Sequence, residues 1–254
     1  MLQSTKGIVF HTIKYSESSI IVKIYTEIFG IQSYLFRGVH GRNSKVKPGL
    51  FQPLTLLDLV VYHKEQRTLH PVREVHLGHP YHNIPTDIRK SSVLLFINEL
   101  AYKSIREEEP NPPLFEFLWS SCQFLDETMD AVAHFPILFA LQLCHYLGIF
   151  PQTNHSVQSP FFNLREGLFQ PAIPDHPHYL DPANSSVFFS MLTAPFFRPG
   201  PWGNTPPHPP AETMTGLLPT TRKMLLDTIL LYYQLHLSGF TGLHSHHILH
   251  DVLS

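Results

Sequence analysis

The chain of 254 residues is poor in the features that would place it in several common classes. It holds two cysteines, Cys122 and Cys144, too few for a disulfide framework. Both lie in apolar runs of helical character, where a free thiol packs as a small hydrophobe. No apolar run reaches the ~18 to 20 residues that a membrane-spanning helix needs. The start, Met1-Leu2-Gln3-Ser4-Thr5-Lys6, lacks the charged head, apolar middle and small-residue cleavage site of a signal peptide. A cytoplasmic location is therefore expected. There is no Gly-rich phosphate loop, no Gly-x-Ser-x-Gly elbow and no His-Glu-x-x-His pair, so nothing points to nucleotide hydrolysis, acyl transfer or zinc proteolysis.

Charge is scarce too. Only 15% of residues are charged, and the formal net charge is −2. Its distribution is uneven. Residues 1–80 carry ten Lys and Arg against five acids, a balance of +5, and the remainder carries eight against fifteen, −7. An imbalance of this kind marks a basic working surface on one part of the chain.

What is present begins with short β-branched and aromatic runs. Gly7–Tyr15, Ser19–Thr26 and Ile31–Val39 read as three strands, with Gly30 at a turn. A loop from His40 to Pro48 follows, with Arg42, Lys45 and Lys47 and no acid. Leu54–Tyr62 reads as a fourth strand. Thr68–Leu77 reads as a fifth, at an edge or bulged because it contains Pro71. Five short strands predict a small barrel of the oligonucleotide/oligosaccharide-binding (OB) type over residues 1–80. Its cations, Lys6, Lys14, Lys23, Arg37, Arg42, Lys45 and Lys47, are the candidate contacts to a phosphate backbone. Tyr25, Tyr34 and Phe36 can stack on bases where they point outward; alternation puts Tyr34 and Phe36 on one face, so the barrel core is the expected place for at least one of the three.

From Thr86 the apolar period becomes helical, with Thr86 as the expected N-cap. A second helix opens at Pro112-Pro113, and a third runs from about Phe135 to Tyr146 with Gly148 as its C-cap. Residues 151–215 hold most of the 23 prolines and read as loop, mobile around Trp202 to Glu212, with one hairpin at Phe161–Gln170. A final long helix contains Met224 to Leu237, and Ser245–Leu253 forms a short last one. The fold class is thus α+β: an N-terminal five-stranded barrel, then a mainly helical domain over 81–254. Eighteen histidines include two clusters, His76/His79/His82 and His244/His246/His247/His250. Without Cys-x-x-Cys spacing they are read as surface histidines, and neither metal nor cofactor is expected.

The run Lys6–Thr26 closely resembles the opening of the RecO family of recombination and repair mediators. So does Gly30–Gly38 with its basic loop and Leu50-Phe51-Gln52-Pro53-Leu54. Ala101–Asn111, Phe139–Pro151 and Tyr232–Leu237 are similar to the helical domain of Bacteroidetes-type members. The resemblance is collinear over nearly the whole chain. It implies a non-enzymatic protein, nucleoid-associated, that binds single- and double-stranded DNA and anneals complementary strands. It also implies association with RecR to assist RecA loading, and contact with the acidic, apolar tail of the single-stranded DNA-binding protein. For that tail the candidate cations are Arg89, Lys90, Lys103 and Arg106. Many relatives carry a four-cysteine zinc site, but residues 156–178 here contain no cysteine, so no zinc is expected. Two other readings stand beside this one: a barrel that scaffolds another protein with incidental DNA contact, and a histidine-based metal hydrolase.

Overall fold

The first strand is longer than its sequence suggests, and that length closes the barrel. In the computed structural model, which describes residues 2–39, 47–64, 67–106, 108–129, 132–193 and 217–253, β1 spans Leu2–Lys14. Its first half pairs antiparallel with β4 (Leu56–Tyr62), from Leu2↔Tyr62 to Ile8↔Leu56. Its second half pairs with β2 (Ser19–Thr26), from Gly7↔Thr26 to Lys14↔Ile20. A register shift between Val9 and His11 bends the strand from one neighbour to the other. β3 (Gly30–Arg37) continues from β2, and β5 (His70–His79) joins β3 to β4, giving the closed order β1-β2-β3-β5-β4. This is the five-stranded OB barrel expected from the sequence. β5 is bulged twice against β4, and its parallel pairing with β3 is confined to Tyr34↔His70 and Leu35↔Pro71. Pro71 can offer no amide to a longer ladder.

The barrel is filled by Val9, Val22, Ile24, Tyr34, Phe36, Leu57, Leu59 and Val61, among others. A 3-10 turn, Pro48–Phe51, plugs one end, with Phe51 against Phe36 at 4.4 Å between ring centroids. Two helices cover the outer wall of β1 and β2: α1 (Ile88–Ser104) and α2 (Pro112–Glu127). There Phe10 stacks on Tyr25, Tyr25 meets Phe115, and Asn98 donates to the Phe10 carbonyl. Asp87, not Thr86, caps α1: its carboxylate accepts the Arg89 amide at 2.8 Å. Thr86 instead turns its hydroxyl onto the Asn83 carbonyl, inside the preceding 3-10 turn.

The chain divides into two compact units, Met1–Glu127 and Thr128–Ser254. The change of texture near residue 80 therefore marks the end of the barrel, while α1 and α2 belong to the same compact unit as the strands. The second unit is built on α3 (Phe135–Tyr146), buried on nearly every face from Phe135 to Cys144. Gly148, at φ +72, ends this helix, and the Ile149 amide returns to the Cys144 carbonyl. The expected hairpin is present as β6 (Phe161–Asn163) and β7 (Leu168–Gln170). The described part of this stretch, up to Thr193, is more ordered than a loop. β8 (Tyr179–Leu180) pairs with β6, and α4 (Pro182–Leu192) follows, capped by Asp181. The segment expected to be mobile, Trp202 to Glu212, lies outside the described residues. α5 (Pro219–His236) and α6 (Ser245–Leu253) complete the unit. The Tyr233 hydroxyl ties α5 to the Ala140 carbonyl of α3 at 2.7 Å. No helix among the described residues is long and apolar enough to cross a membrane.

Candidate nucleic-acid interface

Strand direction decides which cations meet. Lys14 ends β1 opposite Ile20, and Arg37 ends β3 opposite Ser19, so both sit at one end of the barrel. The Val39 amide donates to the Ser18 carbonyl at 2.9 Å, pinning the departing chain to the β1–β2 turn. Lys47 re-enters at the same end, because the Thr12 hydroxyl donates to the carbonyl of Phe51 in the 3-10 turn that Lys47 precedes. Lys14, Arg37 and Lys47 are all exposed. Arg42 and Lys45, from the loop between Arg37 and Lys47, lie outside the described residues.

Lys23 occupies the middle of the outer wall. Its ammonium lies 5.7 Å from the ring centroid of Tyr102 on α1, and His11 stacks on the same ring at 5.4 Å. A cation over an aromatic face is held without losing its charge. Lys6 stands apart. Eight residues of extended strand separate it from Lys14, about 26 Å. Its ammonium sits 5.1 Å over Trp119, and its cross-strand partner is Asp58. The seven expected contacts thus resolve into a cluster at one end, Lys23 midway, Lys6 at the far end beside a carboxylate, and two outside the described residues.

Of the two placements open to the candidate stacking residues, outward or in the core, the structure has the core for all three. Tyr25, Tyr34 and Phe36 are all buried, Tyr34 and Phe36 inside the barrel and Tyr25 under α2. Aromatic residues in the alternating pattern of a small barrel fill it first. The sequence reading missed Tyr102, whose helical spacing gave no sign that it would flank Lys23. It also missed Arg73 on β5, which faces Arg37 across a cleft between β3 and β5.

The four cations assigned to a partner tail do not converge. Lys90 is 2% exposed, and its ammonium donates to the Asp126 carbonyl at 2.6 Å, which removes it from the surface. Arg89 is exposed but clasped by Asp87 at 2.9 Å. Lys103 pairs with Glu99 at 2.8 Å. Arg106 lies beyond the helix end. Arg89 and Lys103 are fourteen residues apart, about 21 Å along the axis.

Among the described residues no group of three or more His, Cys, Asp or Glu side chains is arranged to hold a metal ion. His79 meets the Gln123 amide, His246 bonds the Leu243 carbonyl and His250 bonds Asp227. Nor do the residues of the second unit fit a four-cysteine zinc set. Ser156 and Ser159 are bound to each other through backbone and hydroxyl, and serine hydroxyls are not the thiolates such a site requires. Burial pushes the thiols of Cys122 and Cys144 up to about 12, which leaves them protonated and inert.

A closed five-stranded barrel with cations gathered at one end, followed by helices, defines a protein of the OB class with an appended helical region. Comparison with known proteins makes the assignment specific. Residues 1–81 match the family description "Recombination protein O N terminal", and residues 85–161 match "Recombination protein O C terminal". The chain is 35% identical to the DNA repair protein RecO of Flavobacterium psychrophilum, over 98% of each chain. It is 34% identical to that of Christiangramia forsetii and 32% to that of Bacteroides fragilis, each over 99% of both chains. The chain belongs to the RecO family.

Proposed function

We propose that this protein is a DNA-repair mediator that binds single- and double-stranded DNA through its barrel and anneals complementary strands. The observation that carries the reading is the gathering of Lys14, Arg37 and Lys47 at the barrel end from which the basic loop with Arg42 and Lys45 departs. Binding of this kind is electrostatic and indifferent to sequence. Annealing needs phosphate charge neutralised and base edges left free, which a basic surface supplies without a catalytic group. Lys23 extends the surface along the wall; Lys6, over Trp119, makes the smallest contribution. The protein then acts in the bacterial cytoplasm at the nucleoid, assisting RecA loading with RecR. The acidic tail of the single-stranded DNA-binding protein meets cations on and just beyond α1, for which Arg89, Lys103 and Arg106 remain candidates and Lys90 does not.

The scaffold reading has one observation in its favour. Ile13 is 46% exposed and pairs with Ile21, which pairs with Leu35, so an aliphatic row crosses three strands of the outer wall. Aliphatic side chains suit a protein surface better than a base. Fluorescence anisotropy with plain oligonucleotides separates the readings: steep, sequence-independent salt dependence supports DNA, and its absence supports the scaffold.

A further inference from the structure

We propose that the cleft between β3 and β5 is a path for single-stranded nucleic acid that a duplex can engage only at its rim. The inference deepens the DNA-binding reading above and rests on it. β3 and β5 are paired only at Tyr34↔His70 and Leu35↔Pro71. Beyond that seam they leave a cleft of about 680 Å³, lined from β3 by Phe36 and Arg37 and from β5 by Val72, Arg73, Val75 and His76. Because the strands are parallel, the cleft runs from the seam toward the end where Arg37 leads into the basic loop.

Its chemistry is divided. Val72 and Val75, partly buried against the barrel core and over the buried Phe36, form an apolar floor. Arg37, Arg73 and His76 are exposed at the rim. One carboxylate intrudes, Glu74, and it already faces the Arg73 Nε at 3.2 Å. That contact leaves the two terminal amines of Arg73 for a phosphate. A duplex presents phosphates outside and keeps its base faces stacked within, so it can use the rim but not the floor. A single strand offers base faces and phosphates together, and matches both. Two arginines and a histidine against one engaged carboxylate favour a polyanion over a polypeptide strand.

The test uses the full chain with Arg73→Ala and Arg73→Lys. Arg73 is half-exposed, so neither change disturbs the core. Binding is measured by anisotropy on an oligo-dT strand and on a duplex of equal length at matched salt. Arg73→Ala is expected to weaken oligo-dT about fivefold and the duplex by less than about twofold, with Arg73→Lys recovering most of the loss. A 4-thiothymidine strand is expected to crosslink to peptides containing residues 36–37 and 72–76. Equal losses on both forms overturn the cleft assignment while leaving the DNA reading intact. Unchanged oligo-dT binding without those crosslinks also overturns it, and makes a peptide the better occupant. Wild-type protein that binds neither form with a salt slope removes the DNA reading and the cleft together.

Discussion

The Lys90 ammonium donates to the main-chain carbonyl of Asp126 at 2.6 Å, joining the first turn of α1 to the end of α2. The same Asp126 turns its carboxylate to the linker that follows the barrel and accepts the amides of His82, Asn83 and Ile84 at 2.8–2.9 Å. Burial pushes this carboxyl up, but the three amides and the nearby Lys90 outweigh it and hold the group below the ordinary range. One buried acid thus fixes where the helices begin relative to the last strand.

Asp126→Ala is expected to destabilise the first unit by about 3 kcal/mol, since it strands several buried donors at once. Because its folded pKa is depressed, the contribution of Asp126 is present above the unfolded value near 4 and fades as pH falls through the folded one. Urea unfolding at pH 7 and pH 3 checks this. The penalty of the variant is expected to be smaller at pH 3 than at pH 7.

Leu54 sits at φ +57, a left-handed conformation that a branched side chain adopts only under constraint. Its amide donates to the Val9 carbonyl at 2.7 Å, and its carbonyl accepts the Tyr81 hydroxyl at 2.6 Å. Tyr81→Phe removes one of these two restraints. It is expected to cost about 1 to 2 kcal/mol, read as a lower urea midpoint with an unchanged slope.

His70 seals the seam of the barrel. It is fully buried, its Nε2 contacts the Gln32 side chain at 3.1 Å, and its ring stacks on His63 at 4.5 Å, with Tyr34 on another side. Burial, then the charges of His63 and Arg67, hold its pKa below the usual histidine range, against a backbone hydrogen bond at Tyr62 that favours the proton. The unfolded chain therefore binds the proton more readily, and this part of the stability is lost as pH falls below about 6.5. His70→Gln is expected to flatten that loss. Stability curves from pH 7.5 to 5.5 for variant and wild type check it by difference, which cancels the histidines of the second unit.

Much of this fold could be read from the sequence, because barrel strands and helix faces have strong periods. The exceptions have physical reasons. Leu2–Lys6 is weak in β propensity and is strand because β4 offers it an edge. The Asp181-Pro182 pair at the head of α4 is a sound helix start, obscured by the prolines around it. The site was less legible. Lys90 shares a helix face with Val93, Leu94 and Ile97, a hint of burial that its charge concealed. Tyr25 and Tyr34 carry polar handles that suggest solvent, yet both lie in the core. Arg73 follows a proline in an irregular strand, so its partner across the cleft depends on the β3–β5 pairing, which no local pattern encodes.

The functional reading stands on the cations at one barrel end acting together on a polyanion. That is tested by anisotropy of labelled single-stranded DNA from about 50 to 200 mM salt, for wild type and for Lys14→Gln/Arg37→Gln/Lys47→Gln. The wild-type slope is expected to be steep and to fall by about 2 in the triple variant, ~0.7 for each phosphate left unneutralised, whatever the DNA sequence. A triple variant that keeps the wild-type affinity and slope would show that these three side chains do not meet DNA.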